Sequence, residues 1–137
     1  MAARKLAFIV RSLPYKTETS RLALTHAIAS QSVEIYLESG DTVNSVVAFI
    51  GDGVMNCLRN QKAVEMYGIT SIEQHIKMAL LLDLRLLICR EDLEAFGITQ
   101  DSLVVDAKDL TGETTAQIVP YETIMKEMES SDHLLFF

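Results

Sequence analysis

Short, continuous apolar runs that alternate with helical segments are the feature that most constrains the fold of this chain. Three of these runs, Lys5–Val10, Val43–Ile50 and Leu84–Cys89, have the apolar character of strands that are buried on both faces. Strands that alternate with helices predict a parallel sheet with helices on both faces. We therefore expect an α/β, flavodoxin-like three-layer fold with a mainly parallel five-stranded sheet.

Turn and capping residues define the remaining elements. Gly68 and Gly97 are expected to end helices, because glycine adopts the left-handed conformation that follows a helix, and Ser71 is expected to cap one. The tract 110–116 is rich in turn residues. The first helix is expected to be capped by Thr19 or Ser20, to have Leu24, Ile28 and Ile35 on its apolar face, and to be followed by a turn at Gly40-Asp41. Four further helices are predicted over Gln61–Tyr67, Ile72–Leu82, Arg90–Phe96 and Tyr121–Ser130. Two further strands are predicted over Ser102–Val105 and His133–Phe137.

Length and charge exclude several classes of protein. The 137 residues are one domain's worth of chain, and the net charge of −7 opposes binding to a phosphate backbone, so we expect no direct contact with nucleic acid. The strongest apolar stretch, Met78–Cys89, contains Asp83 and Arg85 and is too short for a membrane span of roughly 20 residues. No signal-peptide pattern opens the sequence, and we expect a cytoplasmic protein without membrane contact.

The two cysteines, Cys57 and Cys89, are too few for a disulfide scaffold, and cytoplasmic thiols stay reduced. Cys89 ends a predicted strand and directly precedes a helix, whose N-terminus favours the thiolate form. Arg90 adds a cation, whereas the acidic residues that follow it would raise the pKa of the thiol. Cys89 is therefore either a reactive cysteine or a small buried apolar residue.

Three segments are expected at the carboxyl edge of the sheet, where ligands of parallel α/β proteins bind: Arg11–Lys16, Gly51–Cys57 and Cys89-Arg90. In the second segment, Asp52 and Gly53 form a tight exit from the strand, and Cys57 either faces the same edge or lies under the loop. Arg11, Lys16 and Arg21 are a candidate anion site.

The sequence has no metal-ligand spacing and no dinucleotide fingerprint. We therefore expect neither a metal nor a cofactor. A flavin or nucleotide binder on the same fold is the weakest of the alternatives.

Several segments, taken in order, resemble the DsrE/DsrF-like family, and most closely its DsrF/TusC branch. The resemblance covers nearly the whole length, as a single domain over residues 1–137. Its most specific segment is Leu87 to Gln100. The other matching segments are the proline-containing loop Ser12-Leu13-Pro14-Tyr15, the turn Asp52-Gly53-Val54, Gln61, and the closing stretch Ser131 to Phe137.

This resemblance implies a sulfur-relay protein that works in a homo- or hetero-oligomer of related subunits, between sulfur donor and acceptor proteins and without a cofactor. The sulfur-carrying subunits of the family hold persulfide on a cysteine eight residues before a glycine. Cys89 and Gly97 have that spacing, so Cys89 is the candidate persulfide carrier and possible sulfurtransferase residue. The alternative is a non-catalytic partner that scaffolds a related sulfur-carrying subunit. In both cases we expect the last four residues to be buried, within the fold or at a subunit contact.

Overall fold

The computed structural model describes residues 3–32 and 42–137, in which strands and helices alternate as expected. Three short 3₁₀ helices, Gly51–Cys57, Gln100–Ser102 and Lys108–Leu110, lie in the connections. The strands and α-helices in chain order are β1 (Ala3–Val10), α1 (Thr19–Ser32), β2 (Thr42–Phe49), α2 (Ala63–Tyr67), α3 (Ile72–Leu81), β3 (Arg85–Cys89), α4 (Arg90–Ala95), β4 (Gln117–Val119), α5 (Tyr121–Ser130) and β5 (His133–Phe136).

All strand pairs in the five-stranded sheet are parallel, and the spatial order is β4-β3-β2-β1-β5. Helix α1 packs against β1, β2 and α3, whereas α5 lies across β1 and β3. The side chains of the three central strands form the core with the inner faces of these helices. The expected three-layer α/β fold with a five-stranded sheet is confirmed.

The prediction that Ser102–Val105 forms the fourth strand is wrong. Residues 100–102 form a 3₁₀ turn, and the extended residues after it bind to the end of the first 3₁₀ helix instead of the sheet. Arg59 N donates to Ser102 O at 2.8 Å, and Val104 N donates to Cys57 O at 2.8 Å. The fourth strand of the sheet is β4, which pairs with β3 through Leu87↔Gln117 to Cys89↔Val119.

Most helix ends are where the sequence predicts them. Ser71 caps α3 by accepting the N–H of Gln74 at 3.3 Å, and Gly68 and Gly97 both have a positive φ, of 68° and 67°. At α1 the capping prediction differs from the structure, because the hydroxyl of Thr17 accepts the N–H of Thr19 at 3.3 Å. The predictions for Ile35 and for the turn at Gly40-Asp41 lie outside the described residues.

Three of the last four residues are not buried within the fold, and the alternative expectation, burial at a subunit contact, stays a prediction. Leu134, Leu135 and Phe136 are exposed by 41%, 37% and 48%, because β5 is an edge strand that pairs with β1 alone among the described strands. Phe137 is half-buried and stacks on Phe8, with 6.1 Å between the ring centroids.

Among the described helices, none has both the length and the apolar character that a bilayer span requires.

Candidate functional site

Cys89 is the last residue of β3 and the residue directly before α4. Strand and helix follow each other without a loop, so the thiol lies at the carboxyl edge of the sheet, next to the exit from β2. The side chain is 1% exposed, yet it borders a surface pocket of about 360 Å³. That pocket is lined by Ile50, Gly51, Cys89, Glu91, Asp92 and Tyr121.

Two carboxylates of α4 hold the walls of this pocket together. Asp92 Oδ2 accepts the N–H of Gly51 at 2.7 Å, which ties the exit of β2 to the first turn of α4. Glu91 accepts the N–H of Tyr121 with both carboxylate oxygens, at 3.0 and 3.1 Å, and so caps the start of α5. The pocket therefore has an acidic wall with both carboxylates fixed by backbone donors.

The surroundings of Cys89 raise the pKa of its thiol to about 11. Burial is the largest cause, because a thiolate loses hydration that the interior does not replace. The backbone N–H of Asp92 acts in the opposite direction by donating to the sulfur, while the side chain of Asp92 and the charge of Glu91 raise the pKa further. At neutral pH the thiol is therefore protonated.

Arg90 does not line the Cys89 pocket. Its guanidinium Nη2 lies 3.5 Å from the carbonyl oxygen of Ile118 on β4. The structure therefore brings Cys89 together with two acidic side chains, and it directs the neighbouring cation to the backbone of an edge strand.

Asp52 and Gly53 belong to the turn beside the pocket. Asp52 is exposed and faces a separate cavity of about 270 Å³, which it shares with Arg11, Lys16 and loop residues 12, 13 and 17. Gly53 is buried under the end of β1, where an added Cβ would lie 2.0 Å from Val10 O. The two residues shape the carboxyl edge without contributing to the lining of the Cys89 pocket.

The candidate anion site is only partly assembled. Arg11 and Lys16 line the same cavity as Asp52, whereas Arg21 donates to Thr70 O at 2.6 Å and pairs with Glu18 at 3.1 Å. The carboxylate of Asp52 thus shares the cavity with Arg11 and Lys16, whereas Arg21 binds Thr70 and Glu18 and does not line it.

Cys57 lies inside the core at the end of the first 3₁₀ helix and is 1% exposed. Complete burial raises the pKa of its thiol far above the ordinary range. Both cysteines are free and buried. Cys57 does not border the Cys89 pocket, and its visible contribution is apolar packing and a backbone carbonyl that holds Val104.

Two of the segments that resemble the DsrE/DsrF-like family take part in one hydrogen-bond network. The Tyr15 hydroxyl donates to Gln61 Oε1 and accepts the N–H of Ile72 at 2.8 Å. Gln61 Nε2 donates to the carbonyl oxygens of Asn56 and Leu58, both at 2.8 Å. The proline-containing loop and the glutamine therefore connect β1, the first 3₁₀ helix and α3 behind the carboxyl edge.

Tyr121 and Ile50 line the pocket although the sequence analysis did not identify them. Ile50 directly follows β2, and the predicted second strand already ended at this residue; Tyr121 directly follows Pro120 after β4, so a correct fourth strand would have placed it at the carboxyl edge. In residues 3–32 and 42–137, no group of three or more His, Cys, Asp or Glu side chains is arranged to hold a metal ion.

Comparison with known proteins identifies the family. The model of the DsrE/DsrF-like family matches residues 4–137. A TusC homolog of Vibrio parahaemolyticus is 28% identical, with 97% of this chain and 98% of the relative covered. A TusC homolog of Aliivibrio fischeri is 26% identical, with 78% of this chain and 84% of the relative covered.

Solved structures share the fold. The crystal structure of the ychN protein from E. coli has a TM-score of 0.71 at 21% identity, and the match covers 98% of this chain and 99% of that one. A protein of unknown function from Methanobacterium thermoautotrophicum has a TM-score of 0.58 at 14% identity, over 95% and 96% of the two chains. With its fold, its motifs and the family model in agreement over nearly its whole length, the chain belongs to the DsrE/DsrF-like family.

Proposed function

We propose that this chain is a single-domain, cytoplasmic subunit of a sulfur relay, in which sulfur passes as a cysteine persulfide within an oligomer of related subunits. Membership of the DsrE/DsrF-like family and the similarity to two TusC homologs support the process. A reducing compartment keeps both thiols free for such chemistry. Sulfur donor and acceptor proteins are the partners that this function requires.

Within the relay, the geometry favours the role of a non-catalytic partner subunit. The observation that carries this choice is the state of Cys89, which is 1% exposed and has a thiol pKa raised to about 11. With that pKa, about one thiol in ten thousand is ionised at pH 7, compared with a few per cent for an unperturbed cysteine. Because the thiolate is the nucleophile, the isolated subunit is a poor sulfur acceptor.

The carrier role is the second candidate, and the position of Cys89 favours it. The residue borders a pocket at the carboxyl edge of the sheet, where the ligands of parallel α/β folds bind. In this role, the Cys89 thiolate attacks the outer sulfur of a donor persulfide. The bond from Cys89 Sγ to that sulfur forms as the donor's S–S bond breaks, and the donor cysteine leaves as a thiolate, so no external oxidant or reductant is consumed.

Mass spectrometry after incubation with a persulfide donor separates the two roles. For the partner role we expect wild type and Cys89→Ser each to keep the mass of its untreated form at neutral pH, without a sulfur adduct. The experiment is run on the chain alone and on its complex with related subunits. Cys57→Ser is the matched control, because it removes the other buried thiol and leaves the pocket unchanged.

A sulfur adduct that appears on wild type and on Cys57→Ser, and is lost in Cys89→Ser, would overturn the partner role and establish the carrier role. A second readout is sulfur transfer by the assembled complex, which the partner role expects to be the same with Cys89→Ser as with wild type. Failure of both forms to support any transfer, with all related subunits present, would contradict the sulfur-relay function itself.

A further inference from the structure

The two edges of the sheet differ in how they are protected. Strand β4 is three residues long and is followed at once by Pro120, which cannot donate a backbone hydrogen bond. Strand β5 has the sequence His-Leu-Leu-Phe, without the lysine, proline or bulge that natural proteins use to protect an edge from association. Only the β5 edge is therefore left open for pairing among the described strands.

Backbone groups of β5 are available on that open side. Asp132 N donates to Lys5 O at 2.8 Å, on the side of β1. Because successive residues of a strand direct their N–H and C=O groups to opposite sides, the groups of His133 and Leu135 point away from β1. Exposed leucine and phenylalanine side chains flank these unpaired groups.

We propose that β5 pairs in antiparallel fashion with β5 of a second copy of this chain, so that the two sheets join into one across a two-fold axis at Leu134. In this register Leu134 faces its own equivalent, and His133 faces Leu135 of the second copy. The outward N–H and C=O groups then form the hydrogen-bonded pairs of an antiparallel ladder. A two-fold interface needs the same patch on both subunits, and one strand supplies it.

Charge complementarity supports the second copy as the occupant. The same register sets Asp132 opposite Phe136 of the second copy. The Arg11 guanidinium lies over the Phe136 ring, 5.3 Å from its centroid. Each Asp132 thus lies at the same end of the paired strands as the Arg11 of the other copy, while its Oδ2 accepts the N–H of Lys5 on its own β1. This placement of opposite charges at both ends opposes the repulsion expected between two chains with a net charge of −7 each.

Sedimentation velocity over a series of protein concentrations is the first test. We expect wild type to form a dimer and Leu134→Lys to raise the dissociation constant by about tenfold or more, because two lysines then face each other at the axis. Met125→Lys is the matched control, since Met125 is 44% exposed and belongs to α5 instead of the paired strand. A wild type that stays monomeric, or a Leu134→Lys dimer as tight as the control, would overturn the proposal.

Cysteine cross-linking tests the register without depending on the lysine variant. Leu134→Cys should form an intermolecular disulfide on mild oxidation, because directly opposite residues of a non-hydrogen-bonded pair have Cα atoms about 4.5 Å apart. Leu135→Cys is the control, because its equivalent lies two positions along the ladder. The native cysteines are both buried. Cross-linking of Leu135→Cys in place of Leu134→Cys would overturn the register that the charges require.

A charge exchange tests the end contacts. Asp132→Arg and Arg11→Asp should each weaken the dimer, and the double variant should recover most of the affinity. Asp132 Oδ2 also accepts the N–H of Lys5 at 2.8 Å, so a purely structural defect would persist in the double variant and contradict the contact. The interface does not use Cys89, and Cys89→Ser should dimerise like wild type whatever the outcome of the sulfur-transfer experiments.

Discussion

At Cys89, two opposing effects of one neighbouring residue set the ionisation of the thiol. The N-terminus of α4 directs the N–H of Asp92 at the sulfur and favours the thiolate, but the carboxylate of the same residue and the burial of the site favour the thiol. Both contributions were predictable from the sequence, because a helix N-terminus and acidic residues directly follow Cys89. Their balance could not be predicted, because it depends on the burial of the sulfur and on the bond that fixes Asp92 to Gly51.

Asp92→Asn should lower the pKa of Cys89 below its value of about 11, since the substitution removes a negative charge beside the sulfur. The asparagine carbonyl oxygen can still accept the N–H of Gly51, so the wall of the pocket is kept. The rate of alkylation by iodoacetamide as a function of pH measures the shift. Glu94→Gln, on the same helix but absent from the pocket lining, is the control and should leave the profile unchanged.

An alkylation profile of Asp92→Asn that coincides with that of wild type would contradict this account of the site. A higher plateau rate at pH values above the pKa would indicate that the variant had opened the pocket, because a changed charge balance moves the midpoint of the profile and not its plateau. Only a displacement of the profile along the pH axis reports the carboxylate, because that displacement follows the ionisation of the thiol.

At the scale of elements, Glu127 joins α5 to two strands that do not touch each other. Its carboxylate lies 2.5 Å from Lys5 Nζ on β1 and 2.5 Å from Arg85 Nη2 on β3, with β2 between them. The bonds to Arg85 and Lys5 lower the pKa of Glu127. This helix therefore clamps the amino ends of the strands, opposite the edge that holds Cys89.

Protonation of Glu127 should cost stability at low pH. A carboxyl group whose pKa is lower in the folded than in the unfolded state contributes stability above the unfolded value, near 4.5, and loses it as pH falls through the folded value. Glu127→Gln should therefore reduce the free energy of unfolding by about 1 kcal/mol at pH 7, and flatten its decline below pH 4.5. Urea denaturation at several pH values measures both effects.

Glu122→Gln is the control for the Glu127 prediction. Glu122 lies on the same helix but is exposed, 3.6 Å from the equally exposed Lys126, and such surface pairs contribute little. A loss of stability in Glu127→Gln that is the same at pH 3 and pH 7 would contradict the assigned role of the carboxylate and indicate altered packing of α5.

The elements also show where sequence patterns stop being sufficient. The central strands were predictable because each is a continuous apolar run that is buried on both faces. The run Leu103-Val104-Val105 has the same character, but Arg59 and Cys57 bind its backbone outside the sheet. Strand β4 has only three residues, all exposed or half-buried, and its pairing with β3 depends on tertiary contacts that a local pattern does not contain.

At the scale of the whole molecule, the strands differ in how far neighbouring strands protect their backbone groups. Strands β1, β2 and β3 are paired on both sides and supply most of the core, whereas β4 and β5 are paired on one side. The order of the central strands could not be predicted, because right-handed crossovers permit both the flavodoxin-like order, with β1 between β2 and β3, and the observed order, with β2 between β1 and β3. The exposure of β5 could not be predicted either, because an apolar run does not distinguish a strand inside the sheet from one at its edge.

Hydrogen exchange should report this difference in protection and connect it to association. We expect the amides of the central strands to exchange slowest, because they open only with global unfolding, and those of β4 to exchange faster at every protein concentration. The amides of His133 and Leu135 should slow as the concentration rises, because the two-fold pairing protects them by mass action. Those of Leu134 and Phe136 face the other side of the strand and should change less. Exchange of His133 and Leu135 that is independent of concentration would mean that the β5 edge stays open in solution.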